Sequence, residues 1–254
     1  MIEMKELSKS YSVGGEQVKA VDNASFVVKR GEMVSIIGHS GSGKTTLLSL
    51  IGGLTKPDSG SVVIDGKDIW AMRDNKLSEF RNRKISFIYQ FASLFPTLTV
   101  YENIILPVTF GNSHMGYASS WAMQFCEAVG ICDKMGCYPS QLSGGQQRRV
   151  AIARAFITNP EIILADEPTG DLDEVNESEV LSFFKKLNGE KGTIIIIVTH
   201  NSDLARQTRR QMRMTSGVIT TVESEACQNL YIMRNRNAMD GKYTKHNVRS
   251  ELQK

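Results

Sequence analysis

The chain holds 254 residues, 41% hydrophobic and 22% charged, with a formal net charge of +3 at pH 7. This is ordinary globular composition with apolar material for one sizeable domain, and so slight a positive balance makes no case for nucleic acid as a partner. The longest aliphatic run, Ile194-Ile195-Ile196-Ile197-Val198, is far below the roughly 20 residues that span a bilayer; no basic-then-apolar leader opens the chain, so a cytosolic protein that meets a membrane only through a partner is expected.

Residues 1–32 read as β-rich, with Ala20–Val28 alternating loosely before the turn Arg30-Gly31-Glu32. The apolar strand Met33-Val34-Ser35-Ile36-Ile37 then runs into Gly38-His39-Ser40-Gly41-Ser42-Gly43-Lys44-Thr45, and helical residues follow from Thr46 to Ile51. That is G-x-x-x-x-G-K-[ST] between a strand and a helix, the context a phosphate-binding loop requires. Gly38, Gly41 and Gly43 let successive N–H groups turn inward as a nest for phosphate oxygens. The helix opening at Lys44 adds orphan N–H groups and the positive end of its dipole. Lys44 is placed to reach the β/γ-phosphates, and the Thr45 hydroxyl to ligate Mg²⁺. His39 occupies a variable loop position and is assigned no chemistry of its own. This loop binds a nucleotide.

Further on, Gly60–Ile69 is again β-like, with Asp65-Gly66 as a hairpin signal. A charged helix over 74–84 leads to a strand over 85–89. From Phe91 to Gln141, short helical pieces such as 117–129 are punctuated by Pro96, Pro107, Gly111, Gly116, Gly130 and Gly136. This stretch reads as a small helical lobe inserted into an α/β core. A helix over 147–158, a strand over 161–165, a helix over 174–188 and a strand over 193–199 complete the pattern. The strands are continuous apolar runs rather than alternating ones, which suits a parallel sheet covered on both faces. Cys126, Cys132, Cys137 and Cys227 form no C-x-x-C pair and no histidine stands at zinc-finger spacing, so reduced, inert thiols are expected.

Two further stretches carry chemistry. Ile162-Ile163-Leu164-Ala165 delivers Asp166 and Glu167 to a strand's carboxyl end, where open α/β sheets gather ligands. Downstream of a phosphate loop, Asp166 reads as the Walker B aspartate for Mg²⁺, and alternation aims Glu167 elsewhere, at a water. The other stretch, Leu142-Ser143-Gly144-Gly145-Gln146, stands directly before the helical run 147–158. Its glycine N–H groups, the Ser143 hydroxyl and the helix N-terminus make a second anion site.

In this order, between the two Walker elements, that pentapeptide resembles the signature of the nucleotide-binding subunits of ABC transporters. The resemblance covers about residues 2–222. It implies an α/β fold of the P-loop NTPase (RecA-like) kind: a parallel-sheet core, an N-terminal antiparallel β subdomain and an inserted α-helical subdomain at about 91–145, all within a domain spanning 1–224. It implies ATP and Mg²⁺ as cofactors, with Gly38 to Thr46 contacting ATP and Tyr11 stacking on adenine. Thr45, Gln90 and Asp166 would hold the metal, Gln90 also coupling to the membrane partner. Glu167 would act as general base, and His200 would contact the γ-phosphate, with Lys44 and Gln90 completing the catalytic set. Residues 142–146 would close over the ATP of a second subunit in a homodimer or pseudo-dimer, with Asp171 and Asp173 of the D-loop facing that subunit. The other implied partner is an integral-membrane permease, which would hold this subunit peripherally at the cytoplasmic face of the cell membrane.

Several stretches resemble the subgroup serving lipoprotein release, macrolide-type efflux, peptide resistance and cell division. These are Ile51-Gly52-Gly53-Leu54, the strand 85–89 with Gln90, Leu94–Ile104, and Tyr138-Pro139-Ser140-Gln141. Two departures stand out: Thr208-Arg209-Arg210 lies where an acidic residue is usual, and residues 223–254 match nothing in the family. The tail from Glu225 to Lys254 has six Lys/Arg against three carboxylates and so carries the whole positive excess. It reads as a disordered extension, a partner-docking segment or a contact with anionic headgroups, the first being the expectation. Two other outputs stay open: an ATPase regulating cell-wall remodelling and division without transport, and a soluble ABC ATPase.

Overall fold

The first 28 residues make one long hairpin, β1 (Ile2–Val13) against β2 (Glu16–Val28). These and the elements that follow come from a computed structural model describing residues 1–110, 118–170 and 174–222. β3 (Met33–Ile37) leads through the glycine loop into α1 (Lys44–Ile51). β4 (Ser59–Ile64) and β5 (Lys67–Asp68) return to the hairpin, giving an antiparallel sheet in the order β2-β1-β4-β5. The expected turn joins the last two: Asp65 and Gly66 have φ of 48° and 78°, the pair of left-handed residues that a two-residue hairpin needs.

α2 (Asp74–Lys84) and β6 (Ile85–Ile88) follow as predicted. α3 (Val100–Thr109), α4 (Ala118–Ala128) and α5 (Gly144–Phe156) pack together as the helical lobe. The chain then alternates β7 (Ile162–Asp166), α6 (Glu174–Lys191), β8 (Ile194–Thr199), the short α7 (Ser202–Arg206), β9 (Arg210–Thr215) and β10 (Val218–Val222). Residues 1–220 form one compact unit.

Six strands make the second sheet, in the order β10-β9-β3-β8-β7-β6. Every pairing from β9 across to β6 is parallel. All six residues of β8 and all five of β7 are buried, because helices or the other sheet cover both faces. Alternation divides those residues between two cores. Ile163, Ala165, Ile195 and Ile197 join α3, α4, α5 and α6 on one side. Ile162, Leu164, Ile194, Ile196 and Val198 join α1 and the antiparallel sheet on the other. Phe156 anchors the first core, its ring 5.1 Å from that of Phe183 in an edge-on contact. Each fully buried aliphatic or aromatic side chain of this kind stabilises by about 1.5–3 kcal/mol.

Three local expectations are corrected. α5 begins at Gly144, not at Gln147, because Ser143 caps it: its Oγ accepts from the Gln146 amide at 3.3 Å while Gln146 Oε1 accepts from the Ser143 amide at 2.9 Å. This reciprocal box lets two glycines start a helix they would otherwise weaken. Pro107 does not break the lobe into pieces; it lies inside α3, in the last turn, where it removes one intrahelical hydrogen bond without splitting the helix. Beyond His200, where no element is predicted, Met212 and Met214 alternate with exposed residues in β9, a half-covered strand rather than an apolar run.

An ion network ties β4 to the parallel sheet. The Met1 ammonium and Lys84 Nζ reach Asp65 at 2.8 and 3.0 Å, and Lys84 also reaches Glu161 at 3.1 Å. The N-terminal ammonium, assisted by Lys84, holds the Asp65 carboxyl down from 3.8 to about 2. A depressed carboxyl stabilises the fold fully above its unfolded pKa, and the effect fades as pH falls toward the folded value. Because this side chain is 41% exposed, screening limits the effect to about 1 kcal/mol. Asp65→Asn should therefore lower the melting temperature at pH 7 by a few degrees, and the gap from the parent should close as pH falls from about 4 to about 2. A gap independent of pH in thermal scans would contradict this account.

Candidate functional site

The neighbouring strands β3, β8, β7 and β6 point the same way, so their carboxyl ends form one edge. Each end is followed by a residue set singled out in the sequence: 38–45 after β3, His200 after β8, Asp166 and Glu167 at the end of β7, and Gln90 two residues after β6. Three inter-strand steps of about 4.8 Å separate the outermost of these. Four segments far apart in the chain thus meet along roughly one ligand length.

The glycine loop is confined by its neighbours as well as by its own flexibility. A Cβ at Gly43, which has φ of 104°, would overlap the Ala20 carbonyl oxygen of β2, and one at Gly38 would overlap that of Met214 in β9. Lys44 is buried, its Nζ donating to the carbonyl oxygens of Gly38 at 2.8 Å and His39 at 3.0 Å. The ammonium thereby holds the loop closed on itself. Ser42 Oγ is buried with no hydrogen-bond partner among the described residues, an orphan that an anion in the loop would satisfy. The donor set fits a polyphosphate: the N–H groups of a glycine loop at a helix N-terminus, one ammonium and an unpaired hydroxyl.

At the end of β7 the two carboxylates separate. Asp166 Oδ2 accepts from Thr45 Oγ1 at 2.7 Å; burial pushes the Asp166 carboxyl above its ordinary value, with the Thr45 hydrogen bond opposing that rise. A hydroxyl and a carboxylate oxygen this close are hard ligands of the type Mg²⁺ prefers. Glu167 leaves the strand with φ of 45°, a left-handed backbone that costs a bulky residue of order 1 kcal/mol. The result is a carboxylate turned onto β8. Glu167 Oε2 accepts from Thr199 Oγ1 at 2.7 Å, and Oε1 accepts from the His200 amide at 2.8 Å, with His200 Nδ1 also at 2.8 Å. Thr199 belongs to no motif; only its place one residue before His200, at the end of a buried strand, signals it.

Arg148 is another residue without a motif. It is 2% exposed, and its guanidinium donates to the carbonyl oxygens of Tyr89 and Gln90. Arg154 donates to those of Ser93 at 2.9 Å and Ala92 at 2.8 Å. Asn103, fully buried in α3, donates to the Phe95, Leu98 and Thr99 carbonyl oxygens and accepts from the Phe95 amide. The segment 89–99 is thus fastened to α5 and α3 while presenting Phe91 and Phe95, 73% and 52% exposed.

Other predicted residues lie apart. Ser143 and Gly144 are exposed at the start of α5, on the side of the sheet opposite α1. Tyr11 is exposed on β1 across from Val18, with Lys9 Nζ 5.6 Å from its ring centre. Asp171, Asp173, Cys227 and the tail from residue 225 lie outside the described residues.

Fold and loop together define a P-loop nucleotide-binding protein. The family model of ABC transporters matches residues 21–170. The lipoprotein-releasing system ATP-binding protein LolD of Idiomarina loihiensis is 41% identical over 219 residues, 86% of this chain and 96% of LolD. Two dimeric structures of the ATP-binding cassette MJ0796 superpose with TM-scores of 0.82, each covering 88% of this chain and all of the other. One, bound to ADP and phosphate after hydrolysis, is 38% identical; the other is 39% identical. The chain belongs to the ABC transporter family and is its ATP-binding, ATP-hydrolysing subunit. Among the described residues no helix is long and apolar enough to cross a membrane.

Thr199→Val removes a donor to Glu167 without changing side-chain volume. A hydrogen bond to a charged group contributes about 1.5–3 kcal/mol, so ATP turnover should fall about tenfold or more while the KM for ATP moves less than twofold. Steady-state kinetics on the purified protein decide it; unchanged turnover would mean that Thr199 does not orient Glu167.

Proposed function

We propose that this chain hydrolyses MgATP in a composite site shared by two copies and that the resulting opening and closing drives a separate membrane permease. The observation that carries this reading is the alignment of the 38–45 loop, His200, the Asp166-Glu167 pair and Gln90 along adjacent strand ends. Lys44 and the loop amides bind the phosphates, with Gly38 through Thr46 lining the triphosphate and Tyr11 offering its ring to adenine. Thr45, Asp166 and Gln90 are the residues that would hold Mg²⁺, which supplies neutralisation of charge on the transferring phosphoryl group.

Glu167, held by Thr199 and His200, takes a proton from a water as that oxygen attacks the γ-phosphorus. The bond from phosphorus to the β-bridging oxygen breaks, and ADP leaves with the electron pair. His200 steadies the γ-phosphate. The signature cannot serve the loop of its own chain on this reading, because α5 and α1 pack against opposite faces of one sheet. Ser143, Gly144 and Gly145, at the exposed N-terminus of α5, with Leu142 and Gln146 fixing that turn, therefore cover the nucleotide of a second copy. MJ0796 is dimeric in both structures, which supports this arrangement.

The permease would grip the aromatic segment 91–105, fastened as it is to α3 and α5. It would hold the subunit peripherally at the cytoplasmic face of the membrane. Among the outputs of the subgroup, the LolD relative's name favours lipoprotein release.

Glu167→Gln should keep ATP binding and lower turnover by about 10²–10⁴-fold, the range of general-base help; near-parental turnover in a phosphate-release assay would remove Glu167 from that role. In the same background, ATP should convert the monomer to a dimer in light scattering. Adding Ser143→Arg should abolish that dimer while leaving nucleotide affinity intact, and a persisting ATP-dependent dimer would defeat the shared-site reading.

A further inference from the structure

Between the loop that follows β6 and the helix that begins at the signature there is a connection that no motif describes. Gln90 is exposed, so its own side chain does not fix where it stands. Its position is set from the main chain, and there Arg148 takes hold of two successive carbonyl oxygens, those of Tyr89 and Gln90. The fork suits the task. A guanidinium presents two parallel N–H groups in a fixed plane, so gripping adjacent carbonyls fixes both the position and the tilt of the peptide between them. Burial removes competing water and stiffens the grip.

The other end of the connection is the signature. Arg148 stands five residues after Ser143 in the sequence, in the second turn of the same helix, whose first turn is locked by the Ser143–Gln146 box. Arg154, six residues further along α5, repeats the grip on Ala92 and Ser93. Burial pushes its guanidinium below the ordinary arginine value, and Tyr89 is near enough to oppose that shift. Two arginines of one helix thus strap the exposed stretch 89–93 along it, and α5 itself is packed in a single core with α3 and α4.

We infer that Arg148 is a positioning residue that locks the main chain of Gln90 to the signature helix, so that placing Ser143 on a partner's nucleotide and placing Gln90 at the chain's own site are one movement. The inference rests on the roles proposed above for Gln90 and Ser143. Its consequence is mechanical. A push on exposed Phe91, three residues past the strand end, would not merely bend a loop; it would carry α5 and the signature with it.

The test is a double-mutant cycle on the full chain with Gln90→Ala and Arg148→Met, read as kcat, KM for ATP and the Mg²⁺ concentration giving half-maximal turnover. Arg148→Met should lower kcat about tenfold and raise the Mg²⁺ requirement as Gln90→Ala does, with equilibrium ATP affinity within twofold of the parent. The double variant should be no worse than the more impaired single one, because both changes remove the same placement. Arg154→Met, which leaves the Gln90 carbonyl held, should have the smaller effect on the Mg²⁺ requirement. If Arg148→Met does not fold, Arg148→Lys keeps stem and charge but not the fork, and the same non-additivity is expected of it. An impaired Gln90→Ala whose effect multiplies with that of the Arg148 variant would overturn this inference alone. Parental turnover in Gln90→Ala would overturn the proposed role of Gln90, and the inference with it.

Discussion

β3 and β7 are not neighbours; β8 lies between them. Even so, Thr45 at the start of α1 and Asp166 at the end of β7 meet at 2.7 Å. That bond closes over the top of β8 and can form only if three strands finish at matched heights. The register supplies this: Ile37 stands beside Thr199, and Asp166 beside Val198. A slip of one residue in either pairing would lift the carboxylate away from the hydroxyl. It would also exchange the two faces of a strand whose alternate side chains belong to different cores. Burial on both faces therefore fixes the register, and the register fixes the site.

The same height matching explains the backbone of Glu167. Continuing β7 in extended form would carry this side chain past the sheet edge. Turning left-handed at φ of 45° folds it back over β8, where Thr199 and the His200 amide receive it. The local cost of order 1 kcal/mol is offset by two hydrogen bonds to the carboxylate and by the Glu167 amide, which still donates to Val198 at 2.9 Å. Strain of this kind, held by neighbours on a different strand, belongs to a group whose direction matters more than its local comfort.

Much of this was legible in the sequence, for a reason that also marks the limit. Motifs that must present backbone N–H groups or strand-end carboxylates are contiguous, so Gly38–Thr45, Asp166-Glu167 and Ser143–Gln146 can be read directly. Paired Ile and Val runs likewise announce buried parallel strands. Strand order cannot be read this way, since it depends on which apolar edges find each other, and β8 comes late in the chain yet sits at the centre. Arg148, Thr199 and Asn103 were invisible because each works through a partner 4 to 59 residues distant, and an Arg, Thr or Asn alone carries no pattern. β9 was missed because its methionines cover only one face.

The two cores also divide the labour of the molecule. α1 and the phosphate loop are packed with the antiparallel sheet, whereas α5 is packed with the helical lobe and holds the strap at 89–93 by hydrogen bonds. Interiors packed as densely as crystals do not flex in pieces, so a force applied to either side displaces a whole layer. The parallel sheet is common to both, and every residue assigned to the chemistry within one chain leaves it at the same edge. A small rotation of one layer against the other would have its pivot in the sheet and would change the relation between Gln90, two residues after β6, and Thr45 beside β3 more than the spacing within either layer. Sensitivity to which neighbour presses on the lobe is then a property of the layering itself and needs no specialised hinge.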